Sequence, residues 1–203
     1  RLADRPVSPY APLRDLVRPY ILRRLKTDKS IIVDLPDKTE VKAFCPLGRR
    51  QAALYAQAVE DLGRQLEAAD GMQRRGLVLA FLMRLKQICN HPAQLSGDAA
   101  VPAGNGNALA ALSKRSGKSM RLITMLEEVL ATGEKALIFT QFRQMGHLLT
   151  AMIQNELDCE TLFLHGGTPA NKRQHLIDRF QAHDGGVPFF VLSLKAGGLG
   201  LNL

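Results

Sequence analysis

The stretch FFVLSLKAGGLGLNL, residues 189–203, joins an apolar run to a segment that contains Gly197, Gly198 and Gly200. Five of its first six residues are apolar, which is typical of a strand buried on both faces of a parallel sheet. Glycines after such a strand let backbone N–H groups approach a phosphate closely. The stretch therefore predicts an α/β protein that handles nucleotides, and we expect the chain to be a piece cut inside such a domain.

Upstream of this stretch, helical and strand patterns alternate. Apolar spacing predicts helices over 118–132, 142–156 and 169–182, and strands over 135–140, 161–164 and 188–194. This order predicts a parallel sheet with right-handed crossovers, whose ligand sites lie at the C-terminal ends of the strands.

The first half of the chain has a different pattern, with little strand character. We predict irregular chain over 1–12, a helix over 13–25 that is interrupted at Pro19, a turn over 34–38, a strand over 40–45, helices over 49–69 and 76–90, and a connector over 96–116. The connector is rich in Gly, Ala and Asn, and it separates a helical region from the alternating region.

The composition favours an anionic partner. The chain has 27 Lys and Arg against 19 Asp and Glu, a net charge of +8, and nucleic acid is the commonest such partner, with a solvated basic surface as the alternative. Aromatic residues make up 5% and Trp is absent, which argues against a stacking platform for single strands. The sequence has no transmembrane run and no CxxC pair, so we expect no membrane and no metal site.

Two short glycine motifs imitate nucleotide-binding fingerprints. SGKS at residues 116–119 lacks the glycine of a Walker A motif, because position 112 is Leu112, and Ser116 is instead predicted to cap a helix. Gly198 and Gly200 follow a strand, but the third glycine of a dinucleotide fingerprint would fall at Leu203.

Polar residues stand where two predicted strands end. Thr140 and Gln141 follow the first strand, with Thr140 as the expected cap of the next helix. His165 and two glycines follow the second strand, and Thr168 is the expected cap of the helix after it. Taken alone, His165 is either a hydrogen-bonding turn residue or a contact to a phosphate.

Six segments stand in an order and spacing that identify a family. They are YILRRLKTDKSIIVDLPDKTE (20–40), LMRLKQICNHP (82–92), SGK (116–118), KALIFTQF (135–142), LFLHGG (162–167) and VLSLKAGGLGLNL (191–203). Together they resemble the second half of a Swi/Snf-type DNA-translocating ATPase of helicase superfamily two. The resemblance covers nearly the whole chain, and the short insertions are similar to those of archaeal and bacterial members.

The resemblance implies a fold and a division of the chain. The fold is α/β: a RecA-like parallel sheet flanked by helices, the P-loop NTPase-type second helicase lobe, preceded by a helical insertion. Residues 1–45 would be the inter-lobe linker with a lead-in strand, 46–115 the helical protrusion and connector, and 116–203 the incomplete RecA-like C-terminal lobe.

The resemblance also implies site residues. At the ATP interface it places Gly198, Gly200 and Asn202. At the DNA-binding surface it places Gln141, Phe142, His165, Gly166, Arg173, Ser193 and Lys195. Arg173 has a second interpretation, as a residue of the helix surface. A hydroxyl and an ammonium group suit phosphodiester oxygens, so binding should be independent of base sequence and strongly dependent on salt.

The same resemblance sets expectations about activity. The full-length protein would be a DNA-stimulated ATPase that uses ATP and Mg²⁺. The 203 residues contain no Walker A motif, no DEAH-type box and no arginine-finger motif, so we expect this chain alone to be inactive and to bind no cofactor tightly. No residue within it is expected to be catalytic or to bind a metal.

The expected partners are double-stranded DNA and an N-terminal RecA-like lobe. An unpaired sheet edge would also allow edge-strand or swapped self-association. The alternatives are a non-catalytic DNA-binding or interaction module, and the C-terminal lobe of a strand-separating or RNA helicase, against which the linker and the LKQICNHP segment argue. We expect a cytoplasmic, nucleoid-associated protein of prokaryotic source.

Overall fold

The protein is described here by a computed structural model. The described residues are 10–21, 39–95, 112–183 and 185–197. The chain divides into two compact units, residues 1–43 and 44–203.

The described part of the first unit contains one short helix. Helix α1 (Ala11–Val17) continues into a 3₁₀ turn (Arg18–Tyr20). The irregular chain predicted up to residue 12 is therefore wrong from Ala11 onwards, because a proline in the first helical turn is tolerated there. The interruption predicted at Pro19 is confirmed as the change to 3₁₀ geometry. The remainder of the predicted helix and the turn over 34–38 lie outside the described residues.

The second unit begins with two packed helices. Helix α2 (Arg49–Glu67) and helix α3 (Gly71–Asn90) contact each other along their lengths. Helix α3 begins five residues before the start predicted at residue 76, because its first turns are exposed and carry no apolar pattern. Gln and Arg are good helix formers on such a surface.

The strand predicted over residues 40–45 is not formed. Residues 39–48 have no regular structure in the described chain, and Val41 and Phe44 are 83% and 92% exposed. An alternating pattern becomes a strand only where a neighbouring strand supplies hydrogen bonds and packing. The sheet found in the described residues takes none of its strands from this segment.

The α/β part contains a parallel sheet of three strands. They are β1 (Ala136–Thr140), β2 (Thr161–Leu164) and β3 (Phe189–Ser193), in the order β1–β3–β2. The central strand β3 is buried along its whole length, as its apolar run predicts. The register places Thr140 opposite Ser193 and Leu164 opposite Leu192, so the C-terminal ends of all three strands meet at one edge.

Helices cover both faces of the sheet. In chain order, they are α4 (Gly117–Ala131), which precedes β1, then α5 (Arg143–Leu157), α6 (Ala170–Gln181) and the short α7 (Leu194–Gly197). Phe189 and Val191 pack with α4 and α5, while Phe190 and Leu192 pack with α6 on the opposite face. Alternate residues of β3 therefore pack into two hydrophobic cores, one on each face of the sheet. This is the three-layer arrangement expected of the α/β class.

One of the three predicted helix caps is confirmed. The Ser116 Oγ accepts an N–H of the first turn of α4. Thr140 does not cap α5, because its Oγ1 accepts the N–H of Phe142 within the loop. Thr168 likewise accepts the N–H of His165 and closes the preceding turn. The observed N-caps are Phe142 and Pro169, so these two helices begin two residues and one residue later than the cap predictions assumed.

Candidate functional site

Most of the predicted DNA-binding residues lie where the parallel strands end. We call this surface the strand-end edge; it comprises Gln141, Phe142, His165, Gly166, Ser193 and Lys195. Gln141, Gly166 and Lys195 are exposed, Phe142 and His165 are half-buried, and Ser193 is buried. The sheet register thus brings together residues that are more than 50 positions apart in the sequence.

Gln141 and Phe142 follow β1 but face different surroundings. The Gln141 side chain reaches α3, where its Oε1 accepts from Lys86 Nζ at 3.5 Å and its Nε2 lies 3.7 Å from Met83 Sδ. Phe142 packs against the core formed by α4, α5 and the sheet. Gln141 is therefore the group of this pair that is available at the surface.

His165 is fixed within a tight turn. Its Nδ1 accepts the N–H of Gly167 at 3.0 Å, and its own N–H donates to Thr168 Oγ1 at 3.1 Å. Burial lowers the pKa of His165, and the positive charge of Arg143 lowers it further. Because Nδ1 is an acceptor, the neutral ring carries its proton on Nε2, which is left as a donor.

Arg173 holds the same turn from α6. Its Nε donates to the Thr168 carbonyl at 3.0 Å, and its Nη2 donates to the Gly166 carbonyl at 3.5 Å. The guanidinium group therefore stabilises the loop between β2 and α6. This geometry supports the helix-surface interpretation of Arg173, and a contact to phosphate stays a prediction.

Ser193 and Lys195 have different roles at the end of β3. Ser193 is 8% exposed and its Oγ accepts the N–H of Ala196 at 3.4 Å, which fastens the start of α7. Lys195 is exposed and forms no ion pair within the described residues. Lys195 is therefore the freer of the two to bind an anion. Gly198, Gly200 and Asn202 lie outside the described residues, so their place at the ATP interface stays a prediction.

A second group of buried and half-buried residues lies between the helix pair and the α/β part. We call it the joint; it comprises Gly48, Gln51, Asn90, His91, Leu112, Ser116 and Gly117. Gln51 is fully buried, and its Nε2 donates to the carbonyls of Ile88 at 2.7 Å and Cys89 at 3.3 Å. Its Oε1 accepts the N–H of Gly48 at 3.0 Å. One side chain thus links the start of α2 to the end of α3.

His91 forms the next link of the joint. This fully buried ring donates from Nε2 to the Leu112 carbonyl at 2.8 Å and accepts the N–H of Ala93 at Nδ1 at 3.1 Å. Burial lowers the pKa of His91, which keeps the ring neutral. His91 therefore fastens the end of α3 to the residues that precede α4.

The SGKS motif completes the joint. Ser116 Oγ donates to the Asn90 carbonyl at 2.6 Å, and Lys118 Nζ donates to Asn90 Oδ1 at 3.3 Å. Gly117 packs so closely that a Cβ there would lie 2.2 Å from the Pro46 carbonyl oxygen. The motif therefore docks α4 against α3, in agreement with the rejection of a Walker A loop.

A cavity of about 640 Å³ opens between α3, α4 and the end of β1. Lys86 and Lys118 are the charged residues among the described groups that line it. Both lysines lie in basic groups of the sequence, but a charge pattern does not show which surface a residue will occupy. The sequence prediction therefore missed Lys86 as a neighbour of Gln141.

The described ranges lack two other kinds of feature. None of their helices combines the length and apolar character needed to cross a membrane. Their His, Cys, Asp and Glu side chains form no group of three suited to a metal ion.

Comparisons with known proteins agree with this architecture. The helicase conserved C-terminal domain family matches residues 118–203, and the SNF2-related domain family matches residues 7–94. The putative ATP-dependent helicase/translocase YwqA of Bacillus subtilis is 38% identical over 200 residues, which is 98% of this chain and 21% of YwqA. The chain thus spans about a fifth of the length of this curated relative.

Two solved structures from Sulfolobus solfataricus are also similar. The SWI2/SNF2 ATPase core in complex with dsDNA is 41% identical, with a TM-score of 0.69 over 90% of this chain and 36% of that one. The SWI2/SNF2 ATPase C-terminal domain is 40% identical, with a TM-score of 0.70 over 82% of this chain and 68% of that one. The predicted fold class, an α/β RecA-like lobe, is confirmed, and this chain belongs to the Swi/Snf family of helicase superfamily two.

Proposed function

We propose that the protein containing this chain is an ATP-dependent translocase on double-stranded DNA that remodels protein–DNA complexes. In this proposal the chain supplies the second motor lobe, which binds the DNA backbone and completes the ATP site. The family supports ATP-driven movement, and the similar Sulfolobus solfataricus core, which is a complex with dsDNA, supports a duplex substrate.

The strand-end edge is the observation that carries the DNA-binding part of the proposal. Gln141, His165 and Lys195 bring an amide, an imidazole N–H and an ammonium group to one edge of the sheet. Such donors suit phosphodiester oxygens, and contacts to the backbone carry no information about base sequence. Binding by this edge would therefore be non-specific and would weaken steeply as salt is added.

The ATP site would be shared with a second lobe. Gly198, Gly200 and Asn202 would face the nucleotide, whereas the lysine and carboxylate that organise phosphates and Mg²⁺ belong to motifs that these 203 residues do not contain. The chain alone would therefore hydrolyse ATP no faster than background, and it would hold neither ATP nor Mg²⁺ tightly.

The domain boundaries remain part of the proposal. Residues 1–45 would form the linker between lobes, 46–115 the helical protrusion and its connector, and 116–203 the RecA-like lobe. The joint supports a fixed attachment of the protrusion, because buried hydrogen bonds run from α2 and α3 to the start of α4.

Self-association is a further component of the proposal. Strand β1 lies at an edge of the described sheet, and its Leu137 and Phe139 side chains are 39% and 51% exposed. An exposed apolar edge strand favours pairing with a second copy. Sedimentation of the 203-residue chain at rising concentration should show dimers, and a purely monomeric profile would remove this component.

ATP hydrolysis by the full-length protein, with and without duplex DNA, tests the proposal. We expect duplex-stimulated hydrolysis by the full-length protein and none by this chain. Stimulation by single strands or RNA alone would point to the helicase alternative. No hydrolysis with any nucleic acid, combined with salt-dependent duplex binding, would leave the non-catalytic DNA-binding module as the function.

A further inference from the structure

Two residues of α5 face the strand-end edge and have no role in the function proposed above. Arg143 is the first residue of the helix, and His147 follows one turn later, so both lie on the same side of it. Both side chains are exposed. The His147 ring lies 5.7 Å from the His165 ring, centroid to centroid.

The two imidazole rings contact one phenylalanine. The Phe163 ring lies 5.0 Å from the His147 ring and 4.8 Å from the His165 ring. Gly146 makes this arrangement possible, because a Cβ at that position would lie 2.1 Å from Phe163 Cζ. Both imidazole rings therefore pack against the same aromatic ring.

Arg143 reaches the same place from the helix terminus. Its Nη1 lies 3.4 Å from the position that a Cβ on Gly167 would occupy, beside the turn that contains His165. The ion pairs within the described residues join Arg64 and Arg84 to Asp61, and Arg179 to Glu160. Arg143 is thus a cation that has no carboxylate partner in the described part of the chain.

Within the described residues, the charged and titratable groups that act on the two histidines are basic. Burial lowers the pKa of His147, and Arg143 lowers it further. His165 is affected by burial, Arg143 and His147 in that order, each of which lowers its pKa. Arg173, on α6, binds the Gly166 carbonyl of the same turn. Like charges that face one another at an exposed surface favour the binding of an anion between them.

We propose that Arg143, His147 and His165 together bind one phosphate of the DNA backbone. This inference rests on the proposed function and adds Arg143 and His147 to its contacts. The guanidinium group would supply charge-assisted hydrogen bonds. Neutral His165 would donate from Nε2, because its Nδ1 is engaged by the Gly167 N–H. The phosphate charge would favour a proton on His147, so duplex binding would be accompanied by proton uptake.

Duplex binding as a function of salt tests the inference on the 203-residue chain. A fluorescent 20-base-pair duplex would be titrated with the original chain, Arg143→Gln, Arg143→Lys and the control Arg75→Gln. Arg75 is exposed in the first turns of α3, about 20 Å along that helix from its end at Asn90. We expect Arg143→Gln to weaken binding by about tenfold in dilute salt and to reduce the salt slope by about one unit. Arg143→Lys should keep the slope, and the control should match the original chain.

Proton uptake gives a second measurement. If Arg143, His147 and His165 had only a structural role, the duplex would not change the titration of His147. The titrations of His147 and His165 would be followed by NMR with and without the duplex, and with inorganic phosphate at the same ionic strength. The duplex should raise the pKa of His147, whereas free phosphate at millimolar concentration should raise it much less. An equal effect of free phosphate would contradict a site for the DNA backbone.

The outcomes separate this inference from the proposed function. Salt-dependent duplex binding that Arg143→Gln leaves unchanged, with no shift of the His147 titration, would overturn the inference and leave the proposed function standing. Failure of the original chain to bind duplex at any salt concentration would overturn both. Thermal unfolding of each variant identifies any variant that does not fold. If Arg143→Gln does not fold, the inference is tested by whether the duplex raises the pKa of His147 in the original chain.

Discussion

The joint and the strand-end edge are both rich in polar residues, but they differ in what those residues contact. In the joint, Gln51 and His91 are fully buried and their side-chain polar groups are bound by backbone groups. At the strand-end edge, Gln141 and Lys195 are exposed, and His165 keeps a free ring N–H. Buried polar groups are costly unless they are paired, whereas exposed donors remain available to a ligand.

This difference shows that segments of the same family pattern serve two purposes. The segments LKQICNHP and SGK hold the helix pair on the α/β part, whereas TQF and LHGG present groups to solvent. Changes in the joint should therefore act on stability, and changes at the strand-end edge should act on DNA binding.

The largest expected effect comes from removing the buried amide of the joint. Gln51→Leu leaves two carbonyls and the N–H of Gly48 without their partner, and unpaired buried groups cost about 1–3 kcal/mol each. With partial relaxation, we expect a loss of about 2–4 kcal/mol in the free energy of unfolding. Urea denaturation would measure it. Gln57→Leu, on the exposed side of the same helix, is the control and should stay within about 0.5 kcal/mol.

Two glycine substitutions should change the stability of the fold in opposite directions. Gly117→Ala pushes a Cβ to 2.2 Å from the Pro46 carbonyl oxygen, and we expect it to destabilise the fold by about 1–3 kcal/mol. Gly63→Ala, in α2, meets no atom within 4 Å, so it should stabilise by about 0.5–1 kcal/mol through helix propensity. Thermal denaturation compares the two. Equal shifts would show that Gly117 is not tightly packed.

Acid should weaken the joint. The folded chain holds the pKa of His91 below its ordinary value of 6.5, so the unfolded chain takes up a proton first as the pH falls. Stability is full above about pH 6.5 and declines below it, towards the folded pKa. The lowered pKa values of His147 and His165 act in the same direction. Urea denaturation between pH 7.5 and 5.5 should show this decline, and His91→Asn should reduce its slope. An unchanged slope would mean that His91 does not control it.

The smallest effect on stability is expected at the strand-end edge. Lys195→Ala removes an exposed ammonium group, so the free energy of unfolding should change by less than about 0.5 kcal/mol. Duplex binding should weaken similarly for all base sequences, with the salt slope reduced by about one unit. Fluorescence anisotropy at several salt concentrations would measure it against Arg75→Ala. A full salt slope in Lys195→Ala would show that this lysine does not contact the backbone.

Local sequence patterns predicted the α/β part well because its core is regular. The apolar run of β3 and the helical spacing of α5 each correspond to a buried surface, so the pattern and the structure agree to within about two residues. The same reasoning failed over residues 40–45, where the alternating pattern has no neighbouring strand in the part of the chain that the structure describes.

The candidate site was predicted less completely. The residues that follow each strand could be named because parallel strands end at one edge. The contacts of Arg173 with the turn, of Lys86 with Gln141, and of Arg143 with the loop after β2 were not predicted. These contacts join different elements, and no local pattern encodes the distance between two side chains on separate helices.

The sequence by itself determined the order of helices and strands, the family, and the glycines and polar residues at the strand ends. It could do so because periodicity and motif spacing depend only on the linear order of the residues. Only the tertiary structure decided which polar residues are buried in hydrogen bonds between elements and which are exposed and available to a ligand. That choice depends on packing: His91 is neutral and enclosed, whereas Lys195 faces solvent.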